Sequence, residues 1–393
     1  MVIRRANSKG MIILIEYLLL TFGCIFIIPD AHRNTYMLYM GVLTLSLFFA
    51  TLCELSFDYN KFFFWISIIL LASIMAFRAQ TALDDEVYSR IFDAANNIGL
   101  VQYFRTEFGL EPGFLLVTYF LFHILDGNYI AYQIIFTYLT FVIIGIAIYS
   151  FKDKVSIPGI ILVIWTHYYF HIMSAGLIRM FIAVAIVLYA IHFLEQKRAK
   201  AYILAILLAA SFHISSLIML VFLLLFLKDD YFIDHWRKTC IILAIILPFA
   251  FIFIAKFIIP ILGVRYFKYD TISSFSFSID RIDMLPIFFI GAYYIKSFKE
   301  EQKRSFVIGV ILLLFAVIVS LCSSIVSLGR IGYLANIGVL LMVSMVMKKD
   351  KGNNLDDLII TMVILYLFVY MMHAGFLDAH IAKSIFPYIS IFN

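Results

Sequence analysis

The chain alternates long apolar runs with short polar breaks, and the runs are helical in length. Spans able to cross about 30 Å of hydrocarbon at about 1.5 Å per residue are readable near 11–28, 35–52, 61–77, 129–150, 157–173, 176–194, 239–259, 284–298, 304–323, 329–347 and 357–375. Two apolar segments break the pattern. Phe114 to Leu125 spans only about 18 Å if helical, which predicts a half-helix dipping back from the side it came from. Ala201 to Leu227 is too long for one upright helix and carries Ser211-Phe212-His213-Ile214-Ser215-Ser216 at its centre. Basic residues flank it at both ends, so it reads as a re-entrant hairpin with His213 near the tip; a strongly tilted single helix is the alternative. The predicted fold is an all-α polytopic membrane bundle of about eleven full spans plus a half-helix and a hairpin, within roughly 11–13 crossings. The whole of 1–393 forms one membrane domain, with outer-face loops at 78–113 and 260–283.

Composition agrees with a membrane chain. Of 393 residues, 64% are hydrophobic and 14% charged, against roughly 45–50% and 25% in soluble domains; mean hydropathy is +1.01. No set of short alternating segments suggests an outer-membrane barrel. The N-terminal MVIRRANSKG leads into an apolar run without a small-residue cleavage site, which predicts a first span and no cleaved leader. Cys24, Cys53, Cys240 and Cys322 lack metal or redox spacing and read as small hydrophobes. The net charge of +5 sits in clusters at span ends, a topology signal and no mark of a nucleic-acid partner. Keeping Arg4, Arg5 and Lys9 inside places the loops at Lys152 to Lys154, Lys197 to Lys200, Lys296 to Arg304 and Lys348 to Asn354 in the cytoplasm. The loop after Phe77, the segment from Pro260 to Asp283 and the C-terminal tail then face outward.

The longest polar interruption, Phe77 to Phe114, is where chemistry is expected, because loops on a rigid scaffold carry function. Within it Thr81 to Asp84 has capping-box spacing, and Asp84, Tyr88 and Phe92 would share one face of a short helix. Asp85 and Glu86 suit a first helical turn, with Glu86 able to pair with Arg90. His167 and His171 stand at i, i+4 but lack the Glu of a zinc-protease motif; with Trp165, Tyr168 and Tyr169 they read as an aromatic belt. No metal site and no cofactor are predicted.

Three motifs then stand in order. They are Phe77-Arg78 with Asp84, Tyr88 and Glu111-Pro112-Gly113-Phe114; Ala175-Gly176-Leu177-Ile178-Arg179-Met180-Phe181-Ile182-Ala183; and Ala209 to Ser215 around Phe212-His213. Gly329-Arg330 with Tyr333 and Pro387-Tyr388 are weaker echoes. The set resembles the EpsG-like branch of Wzy-type polysaccharide polymerases. Two positions depart from that pattern: Gln80 to Leu83 replaces a usual Gly-Thr, and Met180 stands where Gln is usual.

The resemblance implies a glycosyltransferase that polymerises polyprenyl-pyrophosphate-linked repeat units into O-antigen or a similar polysaccharide on the outer face of the inner membrane. Its partners would be lipid-linked donor and acceptor, membrane lipid and a chain-length regulator. Such chemistry needs cations for the pyrophosphate and a carboxylate for the acceptor's proton. Arg179 is the first cation candidate, since an Arg within a span costs about 2.5–3.5 kcal/mol at the bilayer centre and needs a reason; the alternative is a snorkelling anchor. Arg78 and Arg330 are phosphate binders or interfacial anchors, and Tyr88 a glycan contact. His213 is either a hydrogen-bonded core histidine or a group that binds pyrophosphate or moves a proton. Glu111 and Asp84 compete for the role of base, the first otherwise a turn residue and the second otherwise a cap. A lipid-linked oligosaccharide flippase is the rival reading, though its charges should line a path through many spans. An integral acyltransferase is a further rival, and no His-based catalytic pair or acyl-CoA site supports it.

Overall fold

The computed structural model describes residues 8–24, 30–56, 60–79, 84–105, 110–166, 176–223, 231–253, 285–298, 300–321, 332–348 and six positions between 359 and 366. Among these residues the regular elements are all helices. The first three are α1 (Ser8–Cys24), α2 (Asp30–Leu55) and α3 (Asn60–Ala76). In the interruption lie α4 (Asp85–Asp93), α5 (Leu100–Arg105) and α6 (Pro112–Ile124). Then follow α7 (Tyr129–Ser150), α8 (Ile157–Thr166), α9 (Ile178–Glu195) and α10 (Ala199–Phe212), with a 3₁₀ segment over Ile214–Leu220. The last are α11 (Trp236–Phe253), α12 (Leu285–Tyr294), α13 (Glu300–Leu321) and α14 (Ile337–Lys348). Among the described residues four helices are long and apolar enough to cross a bilayer by themselves, at Arg33–Leu55, Tyr129–Ser150, Ile178–Glu195 and Gln302–Val319. The chain is a polytopic α-helical membrane protein. Loop 260–283, Arg330, His167, His171, Thr81, Pro387 and Tyr388 lie outside the described residues.

α3 and α7 run antiparallel, which settles how the chain between them travels. Gln133 Nε2 donates to the Arg78 carbonyl at 2.8 Å, the Ser73 and Tyr138 hydroxyls meet at 2.8 Å, and the rings of Phe64 and Tyr149 lie 5.3 Å apart. Gly145 lets the pair approach, since a Cβ there would lie 2.6 Å from the Trp65 ring. The end of α3 is therefore level with the start of α7, and everything from Phe77 to Asn128 leaves and returns at one end of the bundle. α6, at 13 residues or about 20 Å, does not cross. It lies along α4, with Tyr88 edge-on to Phe114 at 5.8 Å and Phe92 to Phe122 at 5.0 Å.

The segment after α9 is a hairpin. α10 ends at Phe212, His213 is extended, and the Tyr202 hydroxyl donates to the Met219 carbonyl at 2.6 Å. In a continuous helix those residues would stand about 25 Å apart. The chain therefore reverses at His213.

The opposite end of the bundle gathers the basic loops. Lys154 Nζ lies 2.9 Å from Glu195 and 2.8 Å from the Ser305 hydroxyl, and Arg304 donates to the Leu194 carbonyl at 3.3 Å. Glu54 accepts the Ile157 N–H at 2.8 Å and faces Lys348 at 3.7 Å, while the Thr51 hydroxyl reaches the Gly10 carbonyl at 3.4 Å. Buried carboxylates need such partners, so Glu54 and Glu195 tie the ends of α2 and α9 to the loops that carry the lysines.

Candidate active site

At the end away from those lysines, local sequence rules build three short structures. Asp84 occupies the N-cap of α4, with Asp85 and Glu86 in its first turn and Arg90 in its last, as the helix dipole favours. Glu86 and Arg90 pair at 4.0 Å on the exposed face, an interaction worth at most about 0.5 kcal/mol. The opposite face, with Tyr88, Ile91 and Phe92, is buried. α5 is held to α4 by the buried Tyr103 hydroxyl, which donates to the Ile91 carbonyl at 2.9 Å. Burial pushes its phenol above the usual range, so it stays a donor across physiological pH. Glu111-Pro112-Gly113, one of whose readings was a turn, instead starts a helix: Glu111 is the N-cap of α6 and Pro112 takes the first position, where its missing N–H costs nothing.

Gly113 then brings α6 onto the hairpin. A Cβ at that position would fall 2.8 Å from the Ser211 carbonyl oxygen and closer still to the Ser211 hydroxyl. Only glycine permits this approach, and the approach places Glu111 between the other two motifs. Its Oε2 receives Arg179 NH1 at 2.6 Å and its Oε1 receives the Ile214 N–H at 3.1 Å. Side-chain exposures of 17% for Arg179 and 14% for Glu111 make this a largely buried ion pair. The guanidinium is also flanked by the rings of Phe114, at 5.6 Å, and Tyr88, at 6.0 Å. Residues 111, 179 and 214, far apart in the chain, meet at one carboxylate.

Beside this pair opens a narrow cleft lined by Asp84, Tyr88, Leu177, Arg179, Met180 and His213. His213 is buried, with Nδ1 2.7 Å from the Ser215 hydroxyl. Arg179 Nε has no hydrogen-bond partner among the described residues, which leaves that one N–H as a donor within the site. Five of the predicted residues, Asp84, Tyr88, Glu111, Arg179 and His213, thus form one constellation.

Arg78 stands apart. Its guanidinium grips the Asp85 carboxylate with two nitrogens, NH2 at 2.9 Å, and both side chains are buried. The Tyr129 hydroxyl adds a bond to the Asp85 carbonyl at 3.2 Å. Arg78 therefore fastens α4 to the ends of α3 and α7, and Asp85 is its counter-ion. Sequence reading passed over Asp85 because it looks like any acid in a first turn; the signal was the Arg seven residues earlier at a span end. Glu54 and Glu195 were missed for a related reason, as acids beside basic loops read as solvated.

The fold and site define a multi-pass helical membrane protein with a polar, arginine-bearing cleft at one end of the bundle. The family model matching residues 61–390 is that of the EpsG family, and the chain belongs to that family. No curated protein and no solved structure matches the chain significantly. Membership gives it a glycosyltransferase-like, polymerase role in polysaccharide biosynthesis. The match begins in α3 and takes in every residue of the constellation.

Proposed function

We propose that this protein joins polyprenyl-pyrophosphate-linked oligosaccharide units into O-antigen or a similar surface polysaccharide at the outer face of the bacterial inner membrane. The observation that carries the reading is the convergence of Glu111, Arg179 and the His213 turn on one cleft, opposite the end where the lysines collect. Lysines and arginines favour the cytoplasmic side, which turns the cleft outward.

In the reaction, the bond between the donor's anomeric carbon and its phosphate oxygen breaks, and polyprenyl pyrophosphate leaves. A new bond forms from an acceptor hydroxyl to that carbon, and the hydroxyl's proton passes to a carboxylate. Arg179 binds the pyrophosphate, and its planar fork suits two phosphate oxygens. Glu111 has both oxygens engaged and fixes that fork, making it a positioning residue in this arrangement. Asp84 lines the cleft itself and is the carboxylate we assign as base, with His213 beside it to share charge or proton. Arg78 acts through structure alone. A flippase is less well supported, because the charged pairs described above sit at the two ends of the bundle and mark no path between them.

Arg179→Ala should abolish polymer while the protein still inserts, and Arg179→Lys should recover part of it, as a point charge cannot grip bidentately. The check is turnover of purified lipid-linked repeat units at matched protein levels. Full polymer length in Arg179→Ala would reduce this arginine to an anchor and overturn the reading.

A further inference from the structure

A second opening lies at the other end of α4, where its last turn meets the turn between α6 and α7. It is a pocket of about 450 Å³, lined by Asp93, Asn96, Phe122, His123, Asp126 and Gly127. That volume is in the range of small-molecule sites. We propose that it is a carbohydrate subsite, holding a neutral or amine-bearing sugar of the acceptor glycan. The proposal rests on the polymerase reading of the neighbouring cleft.

The lining has the two faces that a sugar ring needs. Carboxylates accept hydrogen bonds from hydroxyls, and the Asn96 amide and His123 imidazole both donate and accept. Phe122 supplies an apolar wall for the C–H face of a ring. That wall is held in advance: Phe122 packs edge-on to Phe92 at 5.0 Å, and His123 packs on Tyr119 at 4.5 Å. Preorganised aromatic contacts lower the ordering cost of binding. The two turns that frame the opening take left-handed backbone at Asn97, Asp126 and Gly127, with φ of +58°, +49° and +73°. Two carboxylates with no Lys or Arg in the lining repel anionic sugars and accept neutral or cationic ones. Among the described residues no three His, Cys, Asp or Glu side chains are grouped so that they could hold a metal ion.

Position completes the argument. α4 has nine residues, about 13 Å, with Asp84 of the cleft at one end and Asp93 of the pocket at the other. A glycan whose reacting hydroxyl lies at the cleft can run along α4 into the pocket. Holding the acceptor at two points raises its effective concentration at the cleft.

The test uses the full chain in lipid nanodiscs, with lipid-free oligosaccharides of one and two repeat units released from the producing cell's own surface polysaccharide. An Asp93→Ala, Asn96→Ala double variant should weaken their binding by at least about tenfold, the loss of one charge-assisted hydrogen bond. It should raise KM for the lipid-linked acceptor and leave kcat for a single addition unchanged. Both side chains are exposed, so the fold should tolerate the change; unchanged thermal unfolding checks this. Arg179→Ala should keep oligosaccharide binding while losing polymer. Equal affinity in the double variant, or equal binding of a uronic-acid oligosaccharide, overturns the subsite. Loss of sugar binding in the double variant, in a protein that turns over no lipid-linked unit, upholds the subsite and overturns the polymerase reading.

Discussion

Glu111 and Asp84 are both carboxylates before a helix, and their surroundings separate their tasks. Glu111 is held by a guanidinium and a backbone N–H, so both its oxygens are engaged. Asp84 lines the cleft. Glu111→Gln should therefore act through Arg179: breaking a buried pair costs on the order of 3–5 kcal/mol, so unfolding temperature falls and KM for lipid-linked substrate rises. Asp84→Asn should leave stability within about 1 kcal/mol and lower kcat by about 10²- to 10⁴-fold, the worth of a general base. Thermal unfolding and steady-state kinetics on the two variants decide it. An active Asp84→Asn beside a stable, dead Glu111→Gln would return the role of base to Glu111. Both residues were legible as candidates, because both fall in the longest polar interruption of an otherwise apolar chain, on the first of the three ordered motifs. Their partners were not, since Glu111 and Arg179 are separated by 68 positions and no local pattern reports the contact.

Among elements, α6 and the hairpin were readable because run length can be measured against bilayer thickness, and both misfit it in opposite directions. Their contact was hidden, as Gly113 after a proline reads as turn chemistry. In the structure it is a crossing point where α6 touches the end of α10. Gly113→Ala should push α6 off Ser211, lengthen the contact from the Ile214 N–H to Glu111, and cost about 1–3 kcal/mol as an overpacking change. Ser211→Ala should not rescue it, because a Cβ at 113 would still lie 2.8 Å from the Ser211 carbonyl oxygen. Unfolding temperatures and polymer yield of the single and double variants test this; rescue by Ser211→Ala would show that only the hydroxyl matters.

For the whole molecule, one orientation decides everything, because cleft and lysine cluster sit at opposite ends of the same antiparallel pair, α3 and α7. The basic residues predict which end faces the cytoplasm. The structure adds that α3 ends level with the start of α7, so the two helices run in opposite directions through the bundle. Asn96 and Asp153 are both exposed and lie at opposite ends of the bundle. In a chain whose four native cysteines are replaced, a cysteine at Asn96 should react with a membrane-impermeant thiol reagent on the outer face of the inner membrane. One at Asp153 should react only after that membrane is opened. α3 alone, at 17 residues, separates the two ends by about 25 Å, so no tilt of the bundle brings both to one surface. Reaction of both from the same side would contradict the antiparallel packing of α3 and α7. Reaction of Asp153 alone from outside would keep the fold, turn the cleft to the cytoplasm and overturn the proposed reading, which has lipid-linked units joined on the outer face.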